Sequence, residues 1–361
     1  VWGASLSGLE VKKPRACILG IAGTELGNWE KGFLREADPF GFILFARNVK
    51  DHDQVRALTD ALRETVGNSN VPILVDQEGG RVMRLKPPHW RHIAPAGAFG
   101  DLFDRNPDDA REAAYTNTRL MAMDLREAGF NTTCAPVLDL RLPGMSDVIG
   151  DRSYGAEVGK VVMLASAVAA GLLDGGIAPI IKHIPGHGRA TVDSHKDLPI
   201  VSVSRDTLSE FDFAPFAQMK DVLAAMSAHL LFTAIDDQRP GTVSPKVIED
   251  VIRGEIGFEN LLISDDLSME ALGGSIASRT HECLRAGCDI ALHCNGKRTE
   301  MEEVVSMAPL LSGSSLQRAQ TFTNQIATFK ADVPDGTQVA DWQVRLATLL
   351  APVWSAGDDQ K

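Results

Sequence analysis

The chain has 361 residues, 44% hydrophobic and 23% charged, and its 36 Lys and Arg against 48 Asp and Glu give a net charge of −12. That length and apolar content are enough for a full core, which excludes a disulfide-stapled mini-protein and wholesale disorder. The acidic balance argues against nucleic acid as a main partner, because phosphate contacts need clustered Lys and Arg.

The longest apolar runs, such as 161–173, fall short of the roughly 20 residues of a membrane span. The N-terminus carries no signal-peptide pattern. Cys17, Cys134, Cys283, Cys288 and Cys294 are odd in number and form no C-x-x-C pair, a usage that favours reduced thiols. The expectation is a cytoplasmic protein with no membrane partner.

Taken in chain order, eight stretches read as strands: 16–23, 41–46, 72–78, 131–140, 177–184, 224–232, 261–266 and 289–294. Several are nearly continuous apolar runs (ILGIAG, GFILFA, PILVDQ, LLISDD), the pattern of strands buried on both faces. Helical spacing recurs between them, at Val55, Leu58, Leu62 and Val66 and at Val247, Ile248, Val251 and Ile252. Ser244-Pro245 before the second set supplies an N-cap followed by Pro at the first helical position.

This alternation predicts an α/β fold, a single (β/α)8 barrel of the TIM type over about 15–312, with a doubly wound open sheet as the competitor. Helical stretches at 300–311, 315–329 and 340–354 are expected to pack against the barrel's outside. The part from about 313 to 361 would then be a C-terminal extension of one catalytic domain spanning 1–361.

A barrel carries its chemistry at the C-terminal ends of its strands, and ionisable residues gather there. Strand three ends in Asp76-Gln77-Glu78 followed by Gly79-Gly80-Arg81, and strand four ends in Asp139. Strand five runs into Lys182-His183, strand six contains His229, and strand seven ends in Asp265-Asp266. The loop after strand five holds His183, His187 and His195 within a Gly- and Pro-containing stretch.

Asp193 and His195 are two apart, so an extended backbone puts both side chains on one side. A carboxylate there would fix the imidazole's tautomer and raise its basicity, as proton transfer requires. The same histidines are a rival zinc set, but they match no H-E-x-x-H spacing and Lys182 would set a cation beside the ion. No G-x-G-x-x-G, Walker or G-x-S-x-G pattern occurs.

VDQEGGRVMRL at 75–85, KHIPGHG at 182–188, TVDSH at 191–195 and SDDLSMEAL at 264–272 together resemble the signatures of family 3 glycoside hydrolases. APVLDL at 135–140 and GDRSYG at 150–155 fit in the same order, and the likeness covers about 16–300. Within the family these segments resemble those of the bacterial cytosolic β-N-acetylglucosaminidases of peptidoglycan recycling. Ile184 stands where Phe is usual, a conservative departure.

The resemblance implies retaining hydrolysis through a covalent glycosyl-enzyme. Asp265 would be the nucleophile and His195 the general acid/base, assisted by Asp193. Asp76, Arg84, Arg152, Lys182 and His183 match sugar-binding positions. A His acid/base departs from the usual two-carboxylate plan. Choosing Asp265 over Asp266 rests on the family pattern, since spacing does not decide between them.

The implied substrate is a small muropeptide, N-acetylglucosamine linked to (1,6-anhydro)-N-acetylmuramic acid, with no cofactor and no metal. A relative acting on glucose or xylose, and a non-catalytic sugar-binding barrel, are the alternatives.

Overall fold

A computed structural model describes residues 13–193, 197–329 and 331–355. Eight parallel strands close into a ring: β1 (Arg15–Gly20), β2 (Pro39–Leu44), β3 (Ile73–Val75), β4 (Thr132–Thr133), β5 (Ala178–Ile184), β6 (Ala224–Ser227), β7 (Leu261–Asp266) and β8 (Ile290–His293). Each strand pairs with its sequence neighbours, and β1 pairs with both β2 and β8. That closure excludes the open sheet.

The apolar runs explain the two layers. Successive strand residues point to opposite faces, so Ala16, Ile18, Leu261 and Ile263 fill the barrel interior while Cys17, Leu19 and Leu262 join the layer beneath the helices. Both sets are buried, which is why these strands show no polar alternation. All five cysteines are buried free thiols. None of the described helices is long and apolar enough to cross a membrane.

The helix His52–Val66 buries Val55, Leu58, Leu62 and Val66 as its spacing predicts. Asp51 caps it by accepting the Gln54 N–H at 2.9 Å. Ser244 likewise accepts the Val247 N–H at 3.2 Å, and Val247, Ile248, Val251 and Ile252 are buried. The helix Val247–Glu255 is wound more widely than predicted, however, as in the Ile256 N–H bond to the Val251 carbonyl five residues back.

Two predicted strands differ. The stretch 131–140 keeps only two ladder residues, because Pro136 has no N–H to donate. Beyond it the chain still follows β5, with the Leu138 N–H donating to the Lys182 carbonyl at 2.7 Å. The stretch 224–232 splits: Leu231–Phe232 leaves the barrel and pairs with Ile200–Val201, so His229 lies between strands rather than within one. The chain turns there as the Gly241 N–H takes the Leu230 carbonyl at 2.7 Å.

The C-terminal helices form where their periodicity predicts, at Arg298–Met307, Gly313–Thr328 and Gly336–Leu350. One of them does not lie on the outside. Ala319, Phe322 and Ile326, one stripe of the helix Gly313–Thr328, join the barrel-interior cluster, with the Phe322 ring 6.2 Å from Phe40. This helix closes the N-terminal end of the barrel. The helix Gly336–Leu350 packs outside on Pro107–Glu127, where the Arg119 guanidinium lies 5.1 Å from the centre of the Trp342 ring.

Candidate active site

At the C-terminal end of the strands a cavity of about 480 Å³ opens, lined by residues of β2 and β5–β8 and of the segments that follow β3, β4, β5 and β8. Its wall is built first from β3. Asp76 and Glu78 are two apart and share a side, so both enter the cavity. Gln77 between them is buried and turns to the backbone, its Oε1 accepting the Arg84 N–H at 2.8 Å and the Leu85 N–H at 3.1 Å. Gly79 and Gly80 follow with φ of 112° and 51°. A Cβ on Gly79 would meet the Ala94 carbonyl oxygen at 2.2 Å, so this turn requires glycine. The turn brings Arg84 back to the strand end.

These residues form one ionic network with β5. Asp76 accepts from Lys182 Nζ at 2.9 Å and from Arg84 Nη2 at 3.0 Å. Glu78 lies 2.5 Å from Lys182 Nζ and takes Arg152 in a two-pronged pair at 2.8 and 2.9 Å. Lys182 is only 2% exposed. Burial alone would raise the Asp76 carboxyl, but Lys182 and Arg84 overcome it and hold that carboxyl well below its ordinary range. Glu78 is likewise held at about 2, with Arg152 and Lys182 outweighing burial. The same carboxylates raise the Lys182 ammonium despite its burial.

The Lys182–His183 peptide is cis, and both side chains line the cavity. Asp139, fully buried at the end of the segment after β4, orients the next stretch. Its Oδ2 takes the His183 Nδ1 at 2.6 Å and its Oδ1 accepts the His187 N–H at 2.6 Å. With Nδ1 so held, Nε2 is the His183 nitrogen available to a ligand. Burial, then the neighbouring His183, lowers His187 to about 4, so that imidazole is neutral at pH 7. A Cβ on Gly188 would meet the Leu140 carbonyl oxygen at 2.3 Å, so the loop passes close against the segment that carries Asp139.

On β7 the two adjacent acids separate. Asp265 follows the inward phase of Leu261 and Ile263 and lines the cavity. Its Oδ1 accepts the Asp266 N–H at 2.8 Å. Burial would raise its carboxyl, but His229, His183 and Lys182 bring it below the ordinary range, so it is ionised at neutral pH. Asp266 turns the other way. Its carboxylate accepts from Ser268 Oγ at 2.6 Å, the Ser268 N–H at 3.0 Å and the Cys294 N–H at 3.1 Å.

Asp76, Arg84, Arg152, Lys182, His183, Asp193 and Asp265, all singled out in the sequence, line this one cavity. Asp193 stands half-buried at its edge. His195 lies outside the described residues. Among the described residues no cluster of three or more His, Cys, Asp or Glu is placed to hold a metal ion.

Sequence reasoning missed Glu78, Asp139 and Phe45 as parts of the site. The first two were visible as strand-end acids. Phe45 had no signal: its ring lies 5.0 Å from the Arg47 guanidinium carbon and 5.2 Å from that of Arg84, steadying the arginine that reaches Asp76.

An ionised carboxylate, fixed on a strand and facing a wall of charge-assisted donors and acceptors, is suited to attack a carbon whose neighbouring hydroxyls that wall holds. Comparison with known proteins gives the family. Residues 30–322 match the glycosyl hydrolase family 3 N-terminal domain. A β-hexosaminidase of Alkalilimnicola ehrlichii is 40% identical over 282 residues, 77% of this chain and 80% of that protein. One of Methylobacillus flagellatus is 35% identical over 305 residues, 83% of this chain and 86% of that protein. Among solved structures, NagZ from Neisseria gonorrhoeae in complex with N-trifluoroacetyl-D-glucosamine superposes with a TM-score of 0.83 at 30% identity, covering 95% of this chain and 99% of that one.

Proposed function

The chain belongs to glycosyl hydrolase family 3, and from that premise we propose that it is a retaining exo-β-N-acetylglucosaminidase that works through a glycosyl-enzyme on Asp265. It is a glycoside hydrolase of the β-N-acetylhexosaminidase type. The observation that carries the reading is the parting of the β7 acids: Asp265 lines the cavity while Asp266 is occupied by Ser268 and Cys294.

In this reading the sugar's hydroxyls bind Asp76, Arg84, Lys182, His183 and Arg152, which holds the anomeric carbon over Asp265. The Asp265 carboxylate attacks that carbon while His195, its imidazole held by Asp193, protonates the leaving oxygen. A water then gives its proton to His195 and attacks the same carbon, releasing the sugar with retained configuration. The Neisseria protein's complex with a GlcNAc analogue supports an N-acetylglucosamine ring in this cavity.

The natural substrate we propose is GlcNAc-(1,6-anhydro)MurNAc, with or without its peptide, cleaved during cell-wall recycling. The five free thiols fit a reducing cytoplasm, and the C-terminal helices, packed on the barrel, fit one catalytic unit.

Release of nitrophenol from p-nitrophenyl N-acetyl-β-glucosaminide tests the function directly. Turnover is expected, and it should survive EDTA because no step draws on a metal. Turnover of the matching glucoside with none of the N-acetylglucosaminide would transfer the reading to another β-sugar.

The acid role has its own signature. His195→Ala is expected to lose about 10²–10⁴-fold on substrates with poor leaving groups and much less on activated aryl glycosides, whose departure needs no proton. Equal losses on both would remove His195 from that role.

A further inference from the structure

Beside Asp265, the side chains of Ser227 on β6, His229 just after that strand and Thr242 in the turn Gly241–Val243 meet the β7 backbone. Ser227 and His229 are fully buried, as is Thr242. The Asp265 N–H donates to Ser227 Oγ at 3.3 Å. Ser227 Oγ and Thr242 Oγ1 are 2.6 Å apart, Thr242 Oγ1 and His229 Nδ1 2.8 Å, and His229 Nε2 lies 2.9 Å from the Asp266 carbonyl oxygen.

The protons in this chain are fixed by its two ends. A carbonyl oxygen only accepts, so His229 Nε2 carries a hydrogen. The amide of Asp265 only donates, so Ser227 Oγ accepts it. In the neutral imidazole Nδ1 accepts from the Thr242 hydroxyl, which leaves Thr242 to accept from the Ser227 hydroxyl. Every link then runs in one direction. Burial outweighs the nearby Asp265 and Asp266 charges and lowers His229, in keeping with a neutral ring.

What the chain encloses is the peptide between Asp265 and Asp266. Its N–H holds Asp265 Oδ1 at 2.8 Å, and its carbonyl accepts from Ser264 Oγ at 2.8 Å. The β7–β8 ladder shifts register between Ile263 and Asp266, so regular strand pairing does not secure this peptide. We infer that His229, Thr242 and Ser227 are positioning residues, a closed hydrogen-bond chain that clamps the backbone on both sides of the Asp265–Asp266 peptide and so sets the aim of the Asp265 carboxylate. This rests on the reading of Asp265 as nucleophile.

Thr242→Val tests it, since it keeps the shape and removes both hydroxyl links. Misaiming a reacting group by about 1 Å costs on the order of 10²-fold. The expected result with p-nitrophenyl N-acetyl-β-glucosaminide is a kcat lower by about 10- to 100-fold, while the Ki of free N-acetylglucosamine stays within about 2-fold because the sugar wall is untouched. Thr242→Ser, which restores the hydroxyl, should recover most of the kcat.

A Thr242→Val kcat within about 3-fold of wild type would overturn the inference, as would an equal loss in sugar affinity, which marks general disruption. If Thr242→Val does not fold, Ser227→Ala breaks the same chain at its other hydroxyl, removing the links to the Asp265 N–H and to Thr242, and an unchanged kcat there overturns it equally. An active Asp265→Ala enzyme would instead bring down the nucleophile reading. An inactive one beside an undiminished Thr242→Val would remove the clamp alone.

Discussion

Asp265→Ala is expected to lower kcat/KM for aryl N-acetyl-β-glucosaminides by about 10⁴-fold or more, because no other described carboxylate takes its place. Asp266 is the nearest acid, but its oxygens are engaged by Ser268 and the Cys294 N–H. Azide separates loss of a nucleophile from loss of structure. The small anion fits the space the carboxylate leaves and attacks the anomeric carbon from the same face. The Ala variant should therefore regain turnover of an activated substrate and yield the α-glycosyl azide, with configuration inverted. Recovery without that product, or no recovery alongside weakened sugar binding, would mean that Asp265 supports the site without bonding to the sugar.

The second large effect concerns Lys182, which lies against two carboxylates out of contact with water. Lys182→Met leaves those charges short of a partner, and breaking a buried pair in this way costs about 3–5 kcal/mol of stability. The pH dependence follows from the direction of the shifts. Asp76 and Glu78 are depressed in the folded protein, so the stability they contribute is present above their unfolded values near 4 and is lost as pH falls towards about 2. Lys182 is raised, so its contribution is complete below its unfolded value near 10.4 and is lost as pH rises from there through its folded one. Urea unfolding should show a gap between wild type and Lys182→Met that is flat from about pH 5 to 9 and narrows below about pH 4. A gap of the same size at pH 3 would show that the carboxylates are not depressed.

The barrel was legible because several strands are apolar runs and strands three to seven end in or carry an ionisable group, a pattern that fold and function impose together. The site was legible for a related reason: residues far apart in sequence, such as Asp76, Lys182 and Asp265, all stand at the same end of parallel strands. The phase of β7 was not legible. Leu261, Leu262 and Ile263 are all apolar, so the spacing of apolar residues does not indicate which of Asp265 and Asp266 faces inward. Only closure of the ring, with the interior taking Leu261 and Ile263, sets that phase. The split of the stretch 224–232 was hidden too, because Leu231 and Phe232 read as strand whichever partner they take, and that partner, Ile200–Val201, is about 30 residues away in the chain. The helix Gly313–Thr328 shows an ordinary amphipathic stripe, which does not distinguish covering the side of a barrel from plugging its end.

Three carboxylates, Asp76, Glu78 and Asp265, stand in this cavity among three cations, Arg84, Arg152 and Lys182. The charges of these six cancel before any sugar arrives. The other Arg and Asp residues of the lining, Arg81, Asp147 and Asp193, are exposed or half-buried where water screens them, so the inner wall discriminates by ionic state. A neutral ring, whose hydroxyls both donate and accept, can slip among these pairs without disturbing the balance. A uronic acid would add an anion, and a sugar stripped of its acetyl group would add an ammonium, each bringing an unmatched charge into a poorly hydrated space. An N-acetyl nitrogen is an uncharged amide, so acetylation takes away the charge that an amino sugar would otherwise bring to this wall.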